Sequence, residues 1–481
     1  MTKNTSLKAT ASKGMLWSAI DKFAVQIAQF IIGIVLARVL LPEDFGLIGM
    51  LSIFLTLSNV FITSGMGSGL VQKQDRSDVD FSTVFVFNFI TSLSIYLGLF
   101  FLAPFIADFY NQPILTSLTR ILGLTLIINS LAIVQSSKLN IAMDFKSIAK
   151  VNVIAIVFGG SAGLVSAFMG LGVWSLVIQS LLTAITTVTS LWFFSKWTPS
   201  LTFSKNSFKT LFGYGSKLLL SGIYAQTLSN VYNITIGKFY PAASLGHYTR
   251  AKGFADLSAG TISSILQQVA FPVLASVQDD TTRLVSIYSR LIKMAAFFIF
   301  PVITLLSLLS EPLVLVLLTD KWAPVIPLMQ WMVFARIFYP ISVINMSILN
   351  AVGRSDLFLK VDLSKFPLIL VALLVTIPLG VKAMVIGHVV TSGISFFINA
   401  YLPGKLYGYG GLKQLKDMVP VIMATCIMAL FVFITVYFLE NLYLKLFIGG
   451  LGGGVIYLFI CYLFKIKELQ EIKSLLLSNK K

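Results

Sequence analysis

Charge is the first thing this sequence is short of. Only 11% of its 481 residues are charged, where soluble domains carry about 25%. Carboxylates are scarcer than cations, 19 acidic residues against 36 lysines and arginines, for a net charge of +17. A nucleic-acid-binding surface needs its cations in one contiguous patch. Here they fall singly or in twos and threes between apolar runs, so no nucleic-acid partner is expected. Cysteine is nearly absent: Cys426 and Cys461 lie inside apolar stretches, lack metal-ligand spacing, and read as small buried hydrophobes. Histidine is as rare. His247 sits in a connection and His388 in an apolar run, neither within a serine, cysteine or carboxylate arrangement that would form a catalytic set. No G-x-x-x-x-G-K-[ST] occurs, so no ATP site is visible. "GGLGGG" at 449–454 follows no strand and precedes no Lys-Ser/Thr, which makes it a close-packing stretch of helix. A membrane acyltransferase or polymerase is therefore disfavoured, and neither a cofactor nor a metal is expected.

Hydrophobic residues, by contrast, make up 57% of the chain. Apolar runs of eighteen or more recur from end to end, each long enough to cross roughly 30 Å of hydrocarbon. They are continuous, without the alternation of a transmembrane β-barrel. The fold class is an all-α polytopic membrane protein of about 14 transmembrane helices. Spans are expected at 14–39, 45–70, 81–109, 114–137, 148–170 and 172–195, then at 208–236, 243–275, 288–310 and 325–350. The last four are 357–379, 382–403, 417–439 and 443–464. The start "MTKNTSLKATASKGMLW" is basic but shows no small-residue cleavage site, and reads as a retained first helix. With that start inside, lysines and arginines in the connections favour the cytoplasmic side by roughly five to one. Both termini are thus expected to be cytoplasmic, where the anionic lipids of the inner leaflet meet the cations.

The chain also repeats itself. "LARVLLPEDFGLIGM" at 36–50 returns about two hundred positions later as "IGKFYPAASLGHYTRA". Arg38 is matched by Lys238 and Gly46 by Gly246, with a proline in each link. "LAPFIADFYNQP" and "LSEPLVLVLLTDKWAP" follow the third span of each half, and "MDFKSIAK" and "GRSDLFLK" the fourth. Repeats separated by six spans keep the same orientation, and parallel repeats place a substrate site between them. The expected domains are an N-terminal lobe at 1–200, a C-terminal lobe at 201–405, and two added helices with a tail at 406–481. Pro/Gly corners also serve as simple helix terminators, which explains Pro42 and Gly46 but not the common spacing of several landmarks.

Charged side chains inside spans are costly and mark functional sites. The cations there are Lys22, Arg120, Lys217, Arg250, Lys252 and Arg336; the anions are Asp21 and Asp256. This excess suits an acidic substrate, with the six cations as binding candidates and the two carboxylates as coupling candidates. Five of the cations lie close enough to span ends to snorkel to headgroups. Arg336, near the middle of its span, is left with two readings: it holds substrate, or it is paired with a buried carboxylate. Asp21 and Lys22 are adjacent and point apart on a helix. Ser18, Lys22, Gln26, Gln29 and Gly33 line one face of the first span. Thr249, Gly253, Asp256, Gly260, Ser263 and Gln267 line one face of the eighth. Such faces suit an aqueous path or helix–helix packing in lipid.

"KGMLWSAIDKFAVQIAQFIIGIVLARVLLPEDFGLIGM", "FYPAASLGHYTRA", "QQVAFPVLASVQDD", "LTDKWAPV" and "AVGRSD" together resemble bacterial polysaccharide flippases. The branch they look like is the colanic-acid and teichuronic-acid export type, within the multidrug, oligosaccharidyl-lipid and polysaccharide exporter superfamily. The likeness covers about residues 12–400. It implies flipping of an undecaprenyl-diphosphate-linked oligosaccharide from the cytoplasmic to the periplasmic leaflet by alternating access, with membrane lipids and polysaccharide polymerase or assembly proteins as further partners. A cation-coupled drug exporter of the same superfamily would hold its cargo with carboxylates, and two against six cations make that a poor match. A non-transporting scaffold of a polysaccharide assembly complex remains a third reading.

Overall fold

A computed structural model describes residues 2–63 and 65–478; the side chains of 2–16, 18–20, 217, 261, 355 and 475–478 are not among those described. Among the described residues the chain is helical throughout, with no strand. It packs as two compact units, Met1–Gly246 and His247–Lys481. The first unit holds α1 (Thr2–Val39), α2 (Pro42–Thr63), α3 (Met66–Gln72), α4 (Asp78–Tyr110), α5 (Ile114–Ser130), α6 (Ile133–Ile141), α7 (Phe145–Phe168), α8 (Trp174–Ser195) and α9 (Lys205–Phe239). Helix α10 (Ala242–Ala275) begins in the first unit and runs into the second, and it takes in His247, expected from the sequence to lie in a connection. There follow α11 (Thr281–Leu308), α12 (Ser310–Leu318), α13 (Val325–Phe334), α14 (Tyr339–Ala351), α15 (Ser355–Ser364), α16 (Phe366–Thr376), α17 (Val381–Tyr407), α18 (Gly411–Phe438), α19 (Leu442–Phe447), α20 (Gly453–Leu463) and α21 (Lys467–Ser478).

Twelve helical stretches among the described residues are long and apolar enough to cross a membrane. The protein is thus a multi-pass membrane protein. Two expected spans are not among the twelve. The first, 208–236, is inside α9, which is 35 residues long but interrupted by polar side chains. The second, 357–379, is divided into α15 and α16 by a turn at Lys365 before Pro367, and its last turn tightens over Ile377–Leu379. Helix starts are written locally. Ser77, Asp144, Ser204 and Asp280 each accept the backbone N–H three residues on, satisfying a donor the helix cannot.

The repeated corner becomes a contact. A Cβ on Gly46 would stand 1.8 Å from the carbonyl oxygen of Ala242, and one on Gly246 would stand 1.8 Å from that of Pro42. Each glycine therefore admits the backbone of the other corner, a reciprocal crossing that only a bare Cα allows. Alongside it, Ser52 and Thr56 of α2 meet Asn230 and Asn233 of α9 in a hydrogen-bonded seam. Lys238 donates to the Phe109 carbonyl at 2.6 Å, a cation on the negative end of α4. By sequence repeat α9 belongs with the second half; by packing it belongs with the first unit.

In the second unit, α18 is fixed to its neighbours by a buried polar network. The Gln414 amide reaches Tyr288 Oη at 3.0 Å, Asn345 Oδ1 at 3.1 Å and the Tyr409 carbonyl at 3.1 Å, and accepts from Asn345 Nδ2 at 3.2 Å. The Tyr288 hydroxyl also donates to Asn345. Burial pushes the Tyr409 phenol well above its usual range, so it stays a donor to Asp417, at 2.9 Å. The run at 449–454 packs closely, as expected: a Cβ on Gly453 would lie 2.7 Å from Val432 and 2.9 Å from Leu305, and one on Gly449 2.9 Å from Leu309. Its backbone widens into a π turn over Ile448–Gly452.

Candidate functional site

The stretch Val325–Ala351 is long and apolar enough to span, yet α13 stops at Phe334 and α14 starts at Tyr339. Between them the backbone closes i→i+3 bonds, from Arg336 to Val333, Ile337 to Phe334 and Tyr339 to Arg336. Pro340 cannot continue an i→i−4 ladder. Because the Tyr339 N–H goes to Arg336, the Ala335 carbonyl loses its helical donor. It accepts instead from Ser392 Oγ on α17, at 2.7 Å. Irregular backbone at membrane depth is tolerated where protein or a polar cavity satisfies it.

The corresponding span of the first unit is broken in the same way. Helix α5 ends at Ser130 and α6 begins at Ile133. The Leu131 carbonyl accepts from Trp192 Nε1 on α8 at 2.9 Å. In each half the sixth span thus repairs the break in the fourth, although Leu131 stands 18 residues past Pro113 and Ala335 only 11 past Pro324. Interrupted spans at corresponding places in two halves are a pointer to a transporter's binding site. The charges, however, are not repeated. The break at Leu131–Ala132 is apolar, and the one at 335–338 carries Arg336.

Arg336 faces Asp256 of α10, with Nε 2.7 Å from Oδ1; its side chain is 19% exposed and that of Asp256 45%. Although close, the Nε–H makes no aligned hydrogen bond. The contact is one of charge, with the guanidinium also 5.7 Å from the Tyr339 ring. Lys252, one turn before Asp256 on α10, lies within electrostatic reach of both Asp256 and Arg336. His388 of α17 lies within reach of Arg336 and Lys252. The second unit therefore gathers two cations, a carboxylate and an imidazole about one interrupted helix.

The other described candidates have other neighbours. Arg250 lies over the Trp322 ring at 5.5 Å. In the first unit Arg120 stacks on Phe100 at 4.3 Å and donates to that residue's carbonyl at 3.3 Å. Asp21 takes the Asn152 amide on both oxygens, at 3.2 and 3.0 Å, and Lys22 is exposed. The Lys217 side chain lies outside the described residues. A Cβ at Gly253 or Gly260 meets nothing within 4 Å, so these glycines of the eighth span serve no close packing and border open space, whereas Ser263 on the same face is buried. Sequence reasoning left His388 aside because no chemistry-bearing residue stood near it in the chain. Its partners are on other helices, and the available signal was only that a histidine in an apolar run is costly. Among the described residues no His/Cys/Asp/Glu group is arranged to hold a metal.

Residues 35–327 match the family described as "Polysaccharide biosynthesis protein". The chain belongs to that family. Among its relatives, the teichuronic acid biosynthesis protein TuaB of Bacillus subtilis is 24% identical over 479 residues, covering 98% of both chains. The lipopolysaccharide biosynthesis protein WzxC of Escherichia coli is 23% identical, over 77% of this chain and 76% of its own. The kinship with TuaB runs past residue 400, where the sequence likeness had been expected to fade. Solved structures show the fold at lower identity. The lipid II flippase MurJ, in an inward closed conformation, superposes with a TM-score of 0.77 at 15% identity, covering 94% of this chain and 98% of that one. An inward-facing MATE multidrug transporter gives 0.61 at 16%, covering 79% and 95%.

Proposed function

We propose that this member of the polysaccharide biosynthesis protein family is a flippase. Its cargo is an undecaprenyl-diphosphate-linked oligosaccharide, moved from the cytoplasmic to the periplasmic leaflet of a bacterial inner membrane with both termini in the cytoplasm. The two sequence lobes, 1–200 and 201–405, rock about the cargo, and 406–481 forms a flanking pair of helices and tail. Arg336 holds the diphosphate with Lys252 beside it; Arg120, Arg250, Lys22 and Lys217 supply the positive path along which it moves. One observation carries this reading. The fourth span of each half is broken and its freed carbonyl is taken up by the sixth, but only one break presents a guanidinium, so breaking and repairing a span does not itself call for the charge.

A guanidinium fork suits phosphate oxygens bidentately, which a lysine point charge does not. A cationic drug would meet Arg336 and Lys252 with Asp256 already engaged, which sets the drug-exporter reading aside. Arg336→Ala should abolish export while the protein still inserts and accumulates, and Arg336→Lys should be partly active. Asp256 is 45% exposed but lies within a span, where an unpaired carboxylate is costly, so lost export counts only where folded protein is retained. Export is scored beside protein level and melting temperature. Normal export from a well-folded Arg336→Ala protein removes Arg336 from the site.

A further inference from the structure

We infer that Asp256 is a tethered counter-anion: it occupies the Arg336 guanidinium when the carrier is empty, and the cargo's diphosphate must displace it. The inference rests on the flippase reading of the same site and adds how the site is kept ready and how it lets go.

The geometry carries it in three steps. An arginine at mid-span is expensive without an anion, and Asp256 Oδ1 stands 2.7 Å from its Nε. The contact is also replaceable. It lacks an aligned Nε–H hydrogen bond, Asp256 is 45% exposed, and a phosphate offers more oxygens to the fork than one carboxylate edge. Finally, the displaced carboxylate is not stranded. Lys252 stands four residues before it on the same helix, a spacing at which side chains meet, and already feels its charge. Among the described residues Arg336 at the break touches Asp256, Lys252 on α10 feels its charge, and His388 on α17 lies within reach of Arg336 and Lys252. Loading exchanges one anion for another on Arg336 and shifts Asp256 toward Lys252. When Asp256 returns, it expels the diphosphate, so binding is weakened for the sake of release. The first unit has threonine, Thr56, at the position matching Asp256 and no cation at its break, so the exchange belongs to one lobe.

The test is isothermal titration of farnesyl diphosphate, a short prenyl diphosphate, into nanodisc-embedded wild type, D256N, R336Q and the double variant, each checked by melting temperature. D256N should bind about tenfold more tightly than wild type and R336Q more weakly. The double variant should bind no more tightly than R336Q, because the carboxylate competes only through the guanidinium. D256N should also export more slowly, its cargo being released late. Unchanged or weaker binding in D256N overturns the counter-anion while leaving Arg336 as the phosphate holder. A D256N gain that persists without Arg336 overturns it too, showing a general field in place of an exchange. If R336Q binds as wild type does, or no form binds the probe, the flippase site itself has been misplaced and the inference falls with it.

Discussion

The crossing of the two corners can be weighed against steric cost. A Cβ at Gly46 would lie 1.8 Å from the Ala242 carbonyl oxygen; reaching ordinary contact at about 3.4 Å or more means parting the backbones by roughly 1.5 Å. The obstacle is main chain on both sides, and no rotamer change relieves it. Overpacking costs about 1–3 kcal/mol, and this case belongs at the upper end. Alanine gains back up to about 1 kcal/mol of helix propensity over glycine. The net loss for Gly46→Ala is therefore about 2 kcal/mol, and Gly246→Ala should match it because its Cβ meets the Pro42 oxygen at the same 1.8 Å. Gly253→Ala is the control. It lies on α10 too, but its Cβ meets nothing within 4 Å, so only the propensity gain remains. Apparent Tm in detergent should place both corner variants below wild type and Gly253→Ala at or above it. Once one Cβ has opened the crossing, the second should cost less, so the double variant falls short of additivity. Gly46→Ala melting with wild type would refute the reciprocal contact.

Gln414→Leu should lower stability by about 3 kcal/mol, since Asn345 Nδ2 and the Tyr409 carbonyl lose a buried partner, while Tyr288 keeps Asn345, and each orphan costs about 1–3 kcal/mol; an unchanged detergent melt would show that α18 is held by apolar packing alone. For topology, single cysteines at Thr5, Asn206 and Ser478 should resist an impermeant thiol reagent added outside, and one at Asn441 should react. Labelling at Asn206 from the periplasm would break the assignment of six helices to each lobe. Outward movement of a diphosphate is downhill in an inside-negative potential by about 2.3 kcal/mol per net charge per 100 mV, so collapsing the potential should slow export. Export that ignores the potential but follows a pH or sodium gradient would point to ion antiport, with Asp21 and Asp256 as the coupling groups.

Much of the fold was legible because lipid leaves a long one-dimensional signal. A helix must satisfy its own backbone in hydrocarbon, so α4, α11 and α17 declare themselves by apolar length alone. The repeat was legible for a similar reason: Gly46 and Gly246 mark backbone approaches that no other residue tolerates. What the pattern could not carry was anything decided between helices. The sequence placed Arg336 mid-span but gave its helix as continuous; the break at 335–338 depends on Ser392 of α17 taking up the Ala335 carbonyl, and a hydroxyl that far along the chain has no local signature. Pro340 alone was ambiguous, as prolines also lie inside the helices α10, α11 and α18.

The pairing of Arg336 with Asp256 shows the same limit at the site itself. In the sequence the two readings of Arg336, phosphate holder or half of an ion pair, excluded each other, and Asp256 was set aside as a coupling group. Their contact makes both readings compatible. A cation that must bind an anion in one state and survive the membrane without it in another needs a substitute anion, close but poorly bonded. A carboxylate at 2.7 Å without an aligned Nε–H bond meets both conditions. Breaking a fully buried, bidentate pair would leave an uncompensated buried carboxylate, at a cost of about 3–5 kcal/mol that an incoming phosphate would have to offset. The weakness of the contact is thus the feature that fits transport, and it is visible only once the two helices stand side by side.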